Sequence, residues 1–584
     1  MAVIQPIVDL VDIFAQHGLT HAVICPGSRS AALTLAFARN EAITTIVSID
    51  ERSAGFIALG LALELGRPVA VVCTSGTAAY NFAPAVAEAC FQYIPLLVLT
   101  ADRPKEWVHQ QDGQTIYQAE LFGKNVKKAF ELPCDTTHPD SRWYANRIAN
   151  DVFLSANTFP KGPVHLNVPV REPFYPSAGD VWMPDPHNRL IGRLEPYHSL
   201  PVESWHMLQD EWEETDRILI AGGQGMFSEE TCNPLIRITE EWEIPVLGDI
   251  TANLGNHSDF ISMQDVFLRN DIPQPALQPD LLVTFGESFL SKRFKNFIRK
   301  NPPRRHWHIG PGTHLVDSFQ SLTLRIPVNP GFFFRKMLED IDYKRFLEQN
   351  EATNDSFKQE WLKAEYLAAR IVSEQISRNI TLLDDLTCIE FLVSALPEDV
   401  FLHLGNSMPV RHANLLRRLG LRQNVWANRG TSGIDGCVST AIGNALASVK
   451  PVCLIVGDVS FLYDRNGFLL EQFPQNLKIV VLNNGGGNIF SLIDGPRDQP
   501  ELGRFFETRH RFTARATAAD AGIAYDAIRQ PAELEKTIGK FVASEGPALL
   551  EIFTDPEENR KVSEQIRSSF ESATGRKEDS RDAL

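Results

Sequence analysis

Short runs of β-branched and other apolar residues alternate along the chain with stretches of helical periodicity. This alternation predicts parallel α/β architecture, in which a buried strand is followed by a helix. In the first third the runs are 21–25, 69–74, 96–100 and 164–168. Later runs are 218–221, 244–247, 281–285 and 306–309 in the middle, and 400–404, 452–456, 479–482 and 548–553 in the last third.

Two stretches without strand-like runs divide the pattern. Residues 171–201 are rich in proline and poor in periodicity, which is typical of a linker. Residues 339–370 are charged with a helical pattern, which predicts a connecting helix. The highly charged tail beyond Asp555 is expected to end in disorder. We therefore predict three domains, over residues 1–180, 181–355 and 356–584.

The first and last domains share a repeat at a spacing of 383 residues. Both copies have a small-residue helix, a turn, an apolar strand and a polar Gly/Ser loop. Either the two domains are homologous, or two α/β units share this order by chance. The expected fold is three doubly wound parallel-sheet domains, with homologous outer domains and a Rossmann-like middle domain. Ungapped matches include Ala58 with Ala441, Gly60 with Gly443, Pro68 with Pro451, and Tyr80 with Tyr463.

The composition narrows the classes of function. Of 584 residues, 56 are Lys or Arg and 73 are Asp or Glu, so the net charge is −17. Phosphate binding needs a basic face, so this balance argues against a nucleic-acid partner. No apolar stretch approaches the ~20 residues of a membrane span, and no signal peptide is expected at the start. The eight cysteines form no CxxC pair, which favours buried thiols in a reducing cytoplasm.

Two polar loops follow neighbouring strands in the last domain. They are Gly457-Asp458-Val459-Ser460 and Asn483-Asn484-Gly485-Gly486-Gly487. Ligands bind at the carboxyl ends of parallel strands, where both loops are expected. Asp458 and Asn484 offer oxygen ligands for Mg²⁺ or Ca²⁺, and the glycines let the backbone approach a phosphate. Either the loops anchor a diphosphate through a metal ion, or they are ordinary βα turns.

These loops resemble the motif of thiamine diphosphate enzymes, in which Gly-Asp-Gly is followed by a paired Asn. Val459 stands where that motif has its third glycine. In the first domain, Glu51 lies where a strand gives way to a helix. It resembles the glutamate that contacts the aminopyrimidine ring of the cofactor. The alternative is a carboxylate that stabilises the positive end of the helix dipole.

Further motifs narrow the resemblance to one family. Together they resemble the 2-succinyl-5-enolpyruvyl-6-hydroxy-3-cyclohexene-1-carboxylate synthases of menaquinone and phylloquinone biosynthesis. Members of that family also lack the third glycine, so Val459 agrees with it. The motifs are Cys25-Pro26-Gly27-Ser28-Arg29-Ser30, Thr74-Ser75-Gly76-Thr77-Ala78, Ala101-Asp102-Arg103-Pro104, Gly113-Gln114-Thr115-Ile116, Ser291-Lys292-Arg293, Gly405-Asn406-Ser407 with Arg411, Asn428-Arg429-Gly430 and Asn488-Ile489-Phe490-Ser491.

The resemblance implies a thiamine diphosphate-dependent transferase with bound Mg²⁺ or Mn²⁺. It would decarboxylate 2-oxoglutarate, add the succinyl carbanion equivalent to isochorismate, and release the family's product and CO₂. The first domain would bind the pyrimidine of the cofactor and the last its diphosphate. Because these domains are far apart in sequence, the family pattern implies active sites at the subunit interface of a homodimer or a dimer of dimers.

Site residues follow from the same resemblance. Glu51 is the expected catalytic residue, with a buried carboxyl group. Ile434, its partner in the repeat, is expected to bend the cofactor. The expected metal ligands are Asp458, Asn484 and Gly486. The expected cofactor-binding residues are Glu51, Ser407, Ile434, Gly457, Asp458, Ser460, Asn484, Gly486, Asn488 and Ile489.

Both implied substrates carry two carboxylates, which planar arginine side chains bind well. Arg411 and Arg429 are expected to hold 2-oxoglutarate. Four cations are expected to face isochorismate: Arg29, Arg103, Lys292 and Arg293. The full expected substrate set is Arg29, Arg103, Gln114, Lys292, Arg293, Ser407, Arg411, Arg429 and Phe490.

Two other classes of function stay open. One is a different thiamine diphosphate enzyme, such as an acetohydroxyacid synthase or a 2-oxoacid decarboxylase, against which the arginine set argues. The other is a non-catalytic nucleotide-binding or regulatory protein, against which intact Glu51, Asp458 and Asn484 argue. Gly222-Gly223-Gln224-Gly225 follows a strand in the middle domain but lacks the dinucleotide fingerprint, so NAD and FAD are not expected.

Overall fold

The computed structural model contains three parallel β-sheets that follow one another along the chain. Within the residues that the structure describes, each sheet has six strands. The expected fold class, three doubly wound parallel-sheet domains, is therefore confirmed. The described residues are 5–172, 174–175, 182–194, 199–255, 257–269, 272–312, 314–341, 343–416, 423–493 and 495–574.

The first sheet is built from strands β1 (His21–Ile24), β2 (Thr44–Val47), β3 (Val69–Cys73), β4 (Leu96–Asp102), β5 (Ala129–Glu131) and β6 (Val164–Pro169). Its helices are α1 (Gln5–Gln16), α2 (Ala31–Ala38), α3 (Glu51–Leu65), α4 (Ala78–Asn81), α5 (Ala83–Phe91) and α6 (Pro139–Asn157). The strand order is β2-β1-β3-β4-β6-β5. Helices cover both faces, so β3 and β4 are buried along their whole length.

The middle sheet is built from β7 (Ile218–Gly222), β8 (Val246–Gly248), β9 (Phe260–Ile261), β10 (Leu281–Phe285), β11 (Arg305–Ile309) and β12 (Leu324–Ile326). Its helices are α7 (Val202–Glu213), α8 (Glu229–Glu241), α9 (Gln264–Phe267), α10 (Lys292–Lys300) and α11 (Pro330–Asp340). The strand order is β12-β11-β10-β7-β8-β9. The chain builds the sheet outwards from β7 in one direction, and then from β10 in the opposite direction. This is the strand order of a Rossmann domain, as the sequence predicts.

A long helix, α12 (Tyr343–Arg378), connects the middle and third sheets. The third domain contains β13 (Phe401–Leu404), β14 (Asn424–Trp426), β15 (Val452–Gly457), β16 (Leu477–Asn483), β17 (Ala524–Ile528) and β18 (Ala548–Phe553). Its helices are α13 (Asp385–Ala395), α14 (Met408–Asn414), α15 (Cys437–Ala447), α16 (Asp458–Tyr463), α17 (Arg515–Asp520), α18 (Leu534–Ala543) and α19 (Pro556–Ala573). The strand order, β14-β13-β15-β16-β18-β17, reproduces that of the first sheet position by position.

The two repeat helices, α3 and α15, pack directly against each other. A Cβ atom built on Gly60 would lie 2.0 Å from the carbonyl oxygen of Thr440. A Cβ atom built on Gly443 would lie 2.0 Å from the carbonyl oxygen of Ile57. Gly60 and Gly443 are partners in the repeat, so the same glycine permits the close approach from both sides.

The connecting segments agree with their predicted character. Among the described residues between 171 and 201, the structure has no helix or strand. The predicted connecting helix is present as α12, which crosses the proposed boundary at residue 355. The start of the charged tail forms α19, and Val562 and Phe570 bury it against the core. The expected disorder at the end of the tail falls on residues outside the described part of the chain, which stops at residue 574.

None of the helices in the described part of the chain is long and apolar enough to cross a membrane.

Candidate active site

Two cavities lie beside the polar loops of the first and third domains. The predicted catalytic Glu51 lines one cavity, whereas the predicted metal ligands Asn484 and Gly486 line the other. The first cavity, of about 480 Å³, is lined by Glu51, residues 74–78, Asn81 and residues 114–116. The second, of about 380 Å³, is lined by residues 484–486, Asn488, Glu507, residues 509–511 and Pro556.

Glu51 is the first residue of helix α3. The carboxylate of Asp50 caps this helix by accepting hydrogen bonds from the N–H groups of Arg52 and Ser53. Asp50 therefore takes the capping role and leaves the Glu51 side chain directed to the cavity. Glu51 is only half-buried in the single chain, so the burial expected for its carboxyl group is incomplete.

The floor of the first cavity contains polar groups that lack partners. The hydroxyl groups of Thr74 and Ser75 are buried and make no hydrogen bond within the chain. The amide of Asn81 lies 3.5 Å from the Glu51 carboxylate. A polar ring system with donors and acceptors, such as an aminopyrimidine, fits this set of groups.

Asp458 begins α16 at the end of strand β15. One of its carboxylate oxygens accepts hydrogen bonds from the N–H groups of Gly485 (2.7 Å) and Gly486 (3.0 Å), and the other accepts one from Val459 (2.7 Å). Burial nevertheless raises the pKa of Asp458 to about 7. A carboxylate in this position is suited to a cationic partner.

The second loop adds two further oxygen atoms. The side-chain oxygen Oδ1 of Asn484 is buried and has no hydrogen-bond partner. The Gly486 carbonyl accepts one hydrogen bond, from the Asn488 N–H, which leaves its second lone pair available. Gly486 has a φ of 157°, and an added Cβ atom would lie 2.5 Å from the Glu507 carbonyl oxygen, so only glycine fits.

These oxygen atoms fit Mg²⁺ better than a softer metal ion. Among the described residues, no group of three or more His, Cys, Asp or Glu side chains could hold a metal ion. One carboxylate, one amide oxygen and one carbonyl are instead the oxygen ligands that Mg²⁺ and Ca²⁺ prefer. The chemistry of the donor set therefore fits the implied metal ion.

The other predicted cofactor residues surround this loop. The Ser460 hydroxyl donates to the carbonyl of Ile434 at 2.9 Å, so it joins the two predicted cofactor segments. Gly457 precedes α16 as its N-cap. Asn488 is buried and donates to Ser491, whereas Ile489 is half-buried.

A first pair of predicted substrate cations lies in the first domain. Arg29 is 6% exposed and stacks on the ring of Phe174 at 4.2 Å. Burial lowers the pKa of Arg29, and the nearby charge of Arg103 lowers it further. Arg103 itself pairs with Asp112 at 2.6 Å. The effect of Arg103 on Arg29 places both cations in the same part of the first domain.

A second pair lies in the third domain. Burial lowers the pKa of Arg429, and the charge of Arg411 lowers it further. Nη1 of Arg429 donates to Asn406 at 3.2 Å, while its Nε is buried without a hydrogen-bond partner. Arg411 donates to the carbonyl of Ser407, which has a φ of 75°. The structure therefore brings the two predicted 2-oxoglutarate ligands together.

The two predicted middle-domain cations begin helix α10. Lys292 is exposed and Arg293 half-buried at the start of α10. Farther along the same helix, burial lowers the pKa of Lys295. The charge of Asp249 raises this pKa, and the charge of Arg429 lowers it further. Helix α10 thus approaches the third-domain arginine that was assigned to 2-oxoglutarate.

The last two predicted substrate residues are Gln114, on a loop, and Phe490, in a short 3-10 helix (Asn488–Ser491). Gln114 is exposed with a φ of 55° and lines the first cavity. Phe490 is half-buried, and its ring centroid lies 5.8 Å from that of Phe506.

Sequence reasoning missed a carboxylate that positions Arg429. Glu88 on α5 is 1% exposed and accepts hydrogen bonds from the N–H groups of Gly430 (2.9 Å) and Thr431 (2.6 Å). It therefore fixes the loop that follows Arg429 from another domain. Gln224 supports the segment just before Arg429 by donating to the Ala427 carbonyl at 2.9 Å. No sequence motif marks Glu88, because the groups that it binds beside Arg429 lie far away in the chain.

Three family models match successive parts of the chain. Residues 8–133 match "Thiamine pyrophosphate enzyme, N-terminal TPP binding domain". Residues 186–387 match "Middle domain of thiamine pyrophosphate" and residues 407–552 match "Thiamine pyrophosphate enzyme, C-terminal TPP binding domain". The outer matches cover the two domains that the repeat relates.

Full-length relatives narrow the assignment. Proteins named 2-succinyl-5-enolpyruvyl-6-hydroxy-3-cyclohexene-1-carboxylate synthase from Cytophaga hutchinsonii and Desulfotalea psychrophila are 39% and 35% identical to the chain. The first alignment covers 97% of this chain and 99% of the relative, and the second covers 94% and 98%. A relative of the same name from Bacteroides fragilis is 34% identical over 95% of this chain and 97% of its own. The chain therefore belongs to the 2-succinyl-5-enolpyruvyl-6-hydroxy-3-cyclohexene-1-carboxylate synthase family of thiamine diphosphate enzymes.

Proposed function

We propose that the protein is the thiamine diphosphate-dependent transferase that joins 2-oxoglutarate to isochorismate in menaquinone biosynthesis. The products are 2-succinyl-5-enolpyruvyl-6-hydroxy-3-cyclohexene-1-carboxylate and CO₂. The observation that carries this proposal is the 39% identity, over 97% of the chain, to a relative named for this product. Two pairs of arginines, whose charges would suit substrates with two carboxylates each, support it.

The cofactor's diphosphate belongs beside Asp458 in the third domain. When bound, thiamine diphosphate supplies the electron sink that decarboxylation of a 2-oxoacid requires. Asp458, Asn484 and the carbonyl of Gly486 would hold Mg²⁺, with Mn²⁺ as an alternative. Ser407, Ile434, Gly457, Ser460, Asn488 and Ile489 would surround the cofactor.

Glu51 is the proposed catalytic residue. Its carboxylate would hold or release a proton at the pyrimidine ring nitrogen N1′ of the cofactor. The position at the start of α3 supports this role, because Asp50 already caps the helix and Glu51 is not needed there. The hydroxyl groups of Thr74 and Ser75, which line the same cavity and have no partner within the described residues, would offer additional hydrogen bonds to the cofactor.

Each pair of arginines would bind a different substrate. Arg411 and Arg429 would bind the carboxylates of 2-oxoglutarate, and Arg29 and Arg103 those of isochorismate. The further proposed substrate contacts are Gln114, Lys292, Arg293, Ser407 and Phe490. Lys292 and Arg293, at the start of α10, would face isochorismate together with Arg29 and Arg103.

The proposed assembly is a homodimer, or a dimer of dimers, with shared active sites. Glu51 is half-exposed, and apolar side chains around the two repeat units are also exposed. Ile49 is 64% exposed, while the repeat partners Tyr80 and Tyr463 are 53% and 52% exposed. A second copy of the chain could cover this face and bring Glu51 to the other copy's Asp458. A cytoplasmic location is also proposed, since all eight cysteines are free thiols.

The substrate class is tested by measuring the release of CO₂ with one 2-oxoacid at a time, with and without isochorismate. The proposal predicts isochorismate-dependent turnover with 2-oxoglutarate and negligible turnover with pyruvate. Activity with pyruvate alone would favour an acetohydroxyacid synthase or a decarboxylase. Calorimetry with thiamine diphosphate and Mg²⁺ tests the non-catalytic alternative, which would be favoured if neither bound.

A further inference from the structure

The amide group of Asn484 has a hydrogen-bond partner at its nitrogen but, within the described part of the chain, none at its oxygen. Its nitrogen Nδ2 donates to Oδ2 of Asp385 at 3.2 Å. Its oxygen Oδ1 is buried and has no partner. The two ends of an amide group have nearly the same shape, so hydrogen-bond partners decide which end faces which way. Asp385 is the described partner that makes this choice for Asn484.

Asp385 is itself held in place. It begins helix α13 and is 1% exposed. Its second oxygen, Oδ1, accepts a hydrogen bond from the Thr554 hydroxyl at 2.6 Å, and its N–H donates to Asn559 at 2.7 Å. Both carboxylate oxygens act as acceptors here. A neighbour that contacts Asp385 must therefore offer a donor, which for Asn484 is the NH₂ group.

This arrangement leaves Asn484 Oδ1 buried without a donor. A buried acceptor without a partner is destabilising, because the hydration that the oxygen loses is not replaced. The cost is removed if a cation binds the oxygen. Asp458, which accepts hydrogen bonds from the adjacent Gly485 and Gly486, supplies a carboxylate at the same loop.

We propose that Asp385 is a positioning residue that holds the Asn484 amide with its oxygen towards the divalent cation of the cofactor. This inference rests on the proposed thiamine diphosphate and Mg²⁺ site. Asp385 does not touch the cation. It prevents the amide from flipping. A flipped amide would place its NH₂ group, which repels a cation, in the ligand position.

A double-mutant cycle tests this role, because an aspartate at position 484 needs no orientation. In the normal background, Asp385→Asn offers its own NH₂ group to Asn484 and keeps its oxygen on Thr554. The Asn484 oxygen then turns away, and we expect Mg²⁺ to bind about tenfold more weakly, equivalent to ~1.4 kcal/mol. In the Asn484→Asp background, residue 484 has two side-chain oxygens, so either of them can bind Mg²⁺ whichever way the group turns. The same Asp385→Asn change should then leave Mg²⁺ affinity unchanged or stronger.

The measurement is the dissociation constant of Mg²⁺ by calorimetry at saturating thiamine diphosphate, with circular dichroism and unfolding midpoints as folding checks. Asp384→Asn is the matched control. Asp384 is the buried N-cap of the same helix, and its carboxylate accepts hydrogen bonds from Thr387. Its loss should lower stability but leave Mg²⁺ affinity unchanged.

An equal loss of Mg²⁺ affinity in both backgrounds would show that Asp385 only supports the local structure, and would overturn the inference. So would an Asp385→Asn variant that binds Mg²⁺ normally, or an Asp384→Asn variant that is equally impaired. If the unmodified protein bound thiamine diphosphate without any need for Mg²⁺, the proposed metal site itself would fail. The two failures are therefore distinguishable.

Discussion

At the residue scale, the proposed substrate selection rests on two arginine pairs in different domains. Arg429 has a buried, unpartnered Nε, and Arg103 lies beside Arg29. A hydrogen bond to a charged group contributes about 1.5–3 kcal/mol, or roughly 10- to 100-fold in affinity. Arg429→Gln should raise the KM for 2-oxoglutarate by at least about tenfold, with little change for isochorismate.

Arg103→Gln is the matched variant, with the opposite expectation. It should raise the KM for isochorismate and leave that for 2-oxoglutarate nearly unchanged. Steady-state kinetics with each substrate varied in turn measures both effects. If either variant impaired both substrates equally, the proposed division between the arginine pairs would be wrong.

A second prediction at this scale concerns pH. Asp464 is completely buried, accepts hydrogen bonds from Ser439, and has a pKa raised by burial to about 7. The folded chain therefore keeps a proton that the unfolded chain loses near pH ~4. The associated stability is fully present below that pH and is lost as the pH rises through about 7.

Asp464→Asn keeps an oxygen acceptor but cannot ionise. For the ligand-free protein, its urea unfolding midpoint should fall less between pH 5 and pH 8 than that of the unmodified chain. Each pKa unit corresponds to ~1.4 kcal/mol, so the difference is measurable. Asp210→Asn, at an exposed position on α7, is the control and should leave the pH profile unchanged. Parallel profiles for the Asp464 variant and the unmodified chain would refute the assignment.

Residues within motifs could be predicted from the sequence, whereas their supporting residues could not. The Asp458 and Asn484 loops were predicted to come together, and hydrogen bonds from Gly485 and Gly486 to Asp458 join them. Asp385 and Glu88 were not predicted, because their partners lie 99 and 343 residues away. A carboxylate that binds a distant amide or backbone N–H leaves no pattern in its own neighbourhood.

At the element scale, the predicted apolar runs correspond to the inner strands of all three sheets. The strands without such runs are the sheet edges: β2, β5, β9, β12, β14 and β17. Of these, only β2 was inferred, from the helix start at Glu51. Inner strands are buried on both faces, so their sequences are continuously apolar. Edge strands are short and partly exposed, as in β2 and β5, so their sequences resemble loops.

The crossing of α3 and α15 yields a prediction at this scale. Gly60→Ala or Gly443→Ala places a methyl group 2.0 Å from a backbone carbonyl, which neither helix can avoid without moving. Each should destabilise the protein by about 1–3 kcal/mol or more, since overpacking strains the backbone. Gly539→Ala in α18 is the control, because no atom lies within 4 Å of the added Cβ. It should stabilise by about 0.5–1 kcal/mol. Chemical denaturation measures all three, and a neutral Gly60 variant would contradict the close packing.

At the scale of the whole molecule, the net charge of −17 does not describe the active site. Net charge governs solubility and long-range steering, whereas binding depends on the local field. Arg29 and Arg103 lie together in one domain, and Arg411 and Arg429 in another. An acidic protein can therefore bind anionic substrates through local pairs of cations.

The proposed sharing of active sites predicts complementation between inactive subunits. Glu51→Gln and Asp458→Ala should each abolish turnover in a homodimer. A mixed dimer, purified through a different affinity tag on each subunit, should regain about half of the normal activity, because one of its two sites is intact. A mixed dimer without activity would place Glu51 and Asp458 of one chain in the same site.

The most direct test of the proposed function is the mass of the product formed from uniformly ¹³C-labelled 2-oxoglutarate and unlabelled isochorismate. The account predicts the family's cyclohexene product with all but one of the labelled carbons, and the remaining label in CO₂. Labelled succinic semialdehyde alone, or no labelled adduct with isochorismate, would contradict the proposed carboligation.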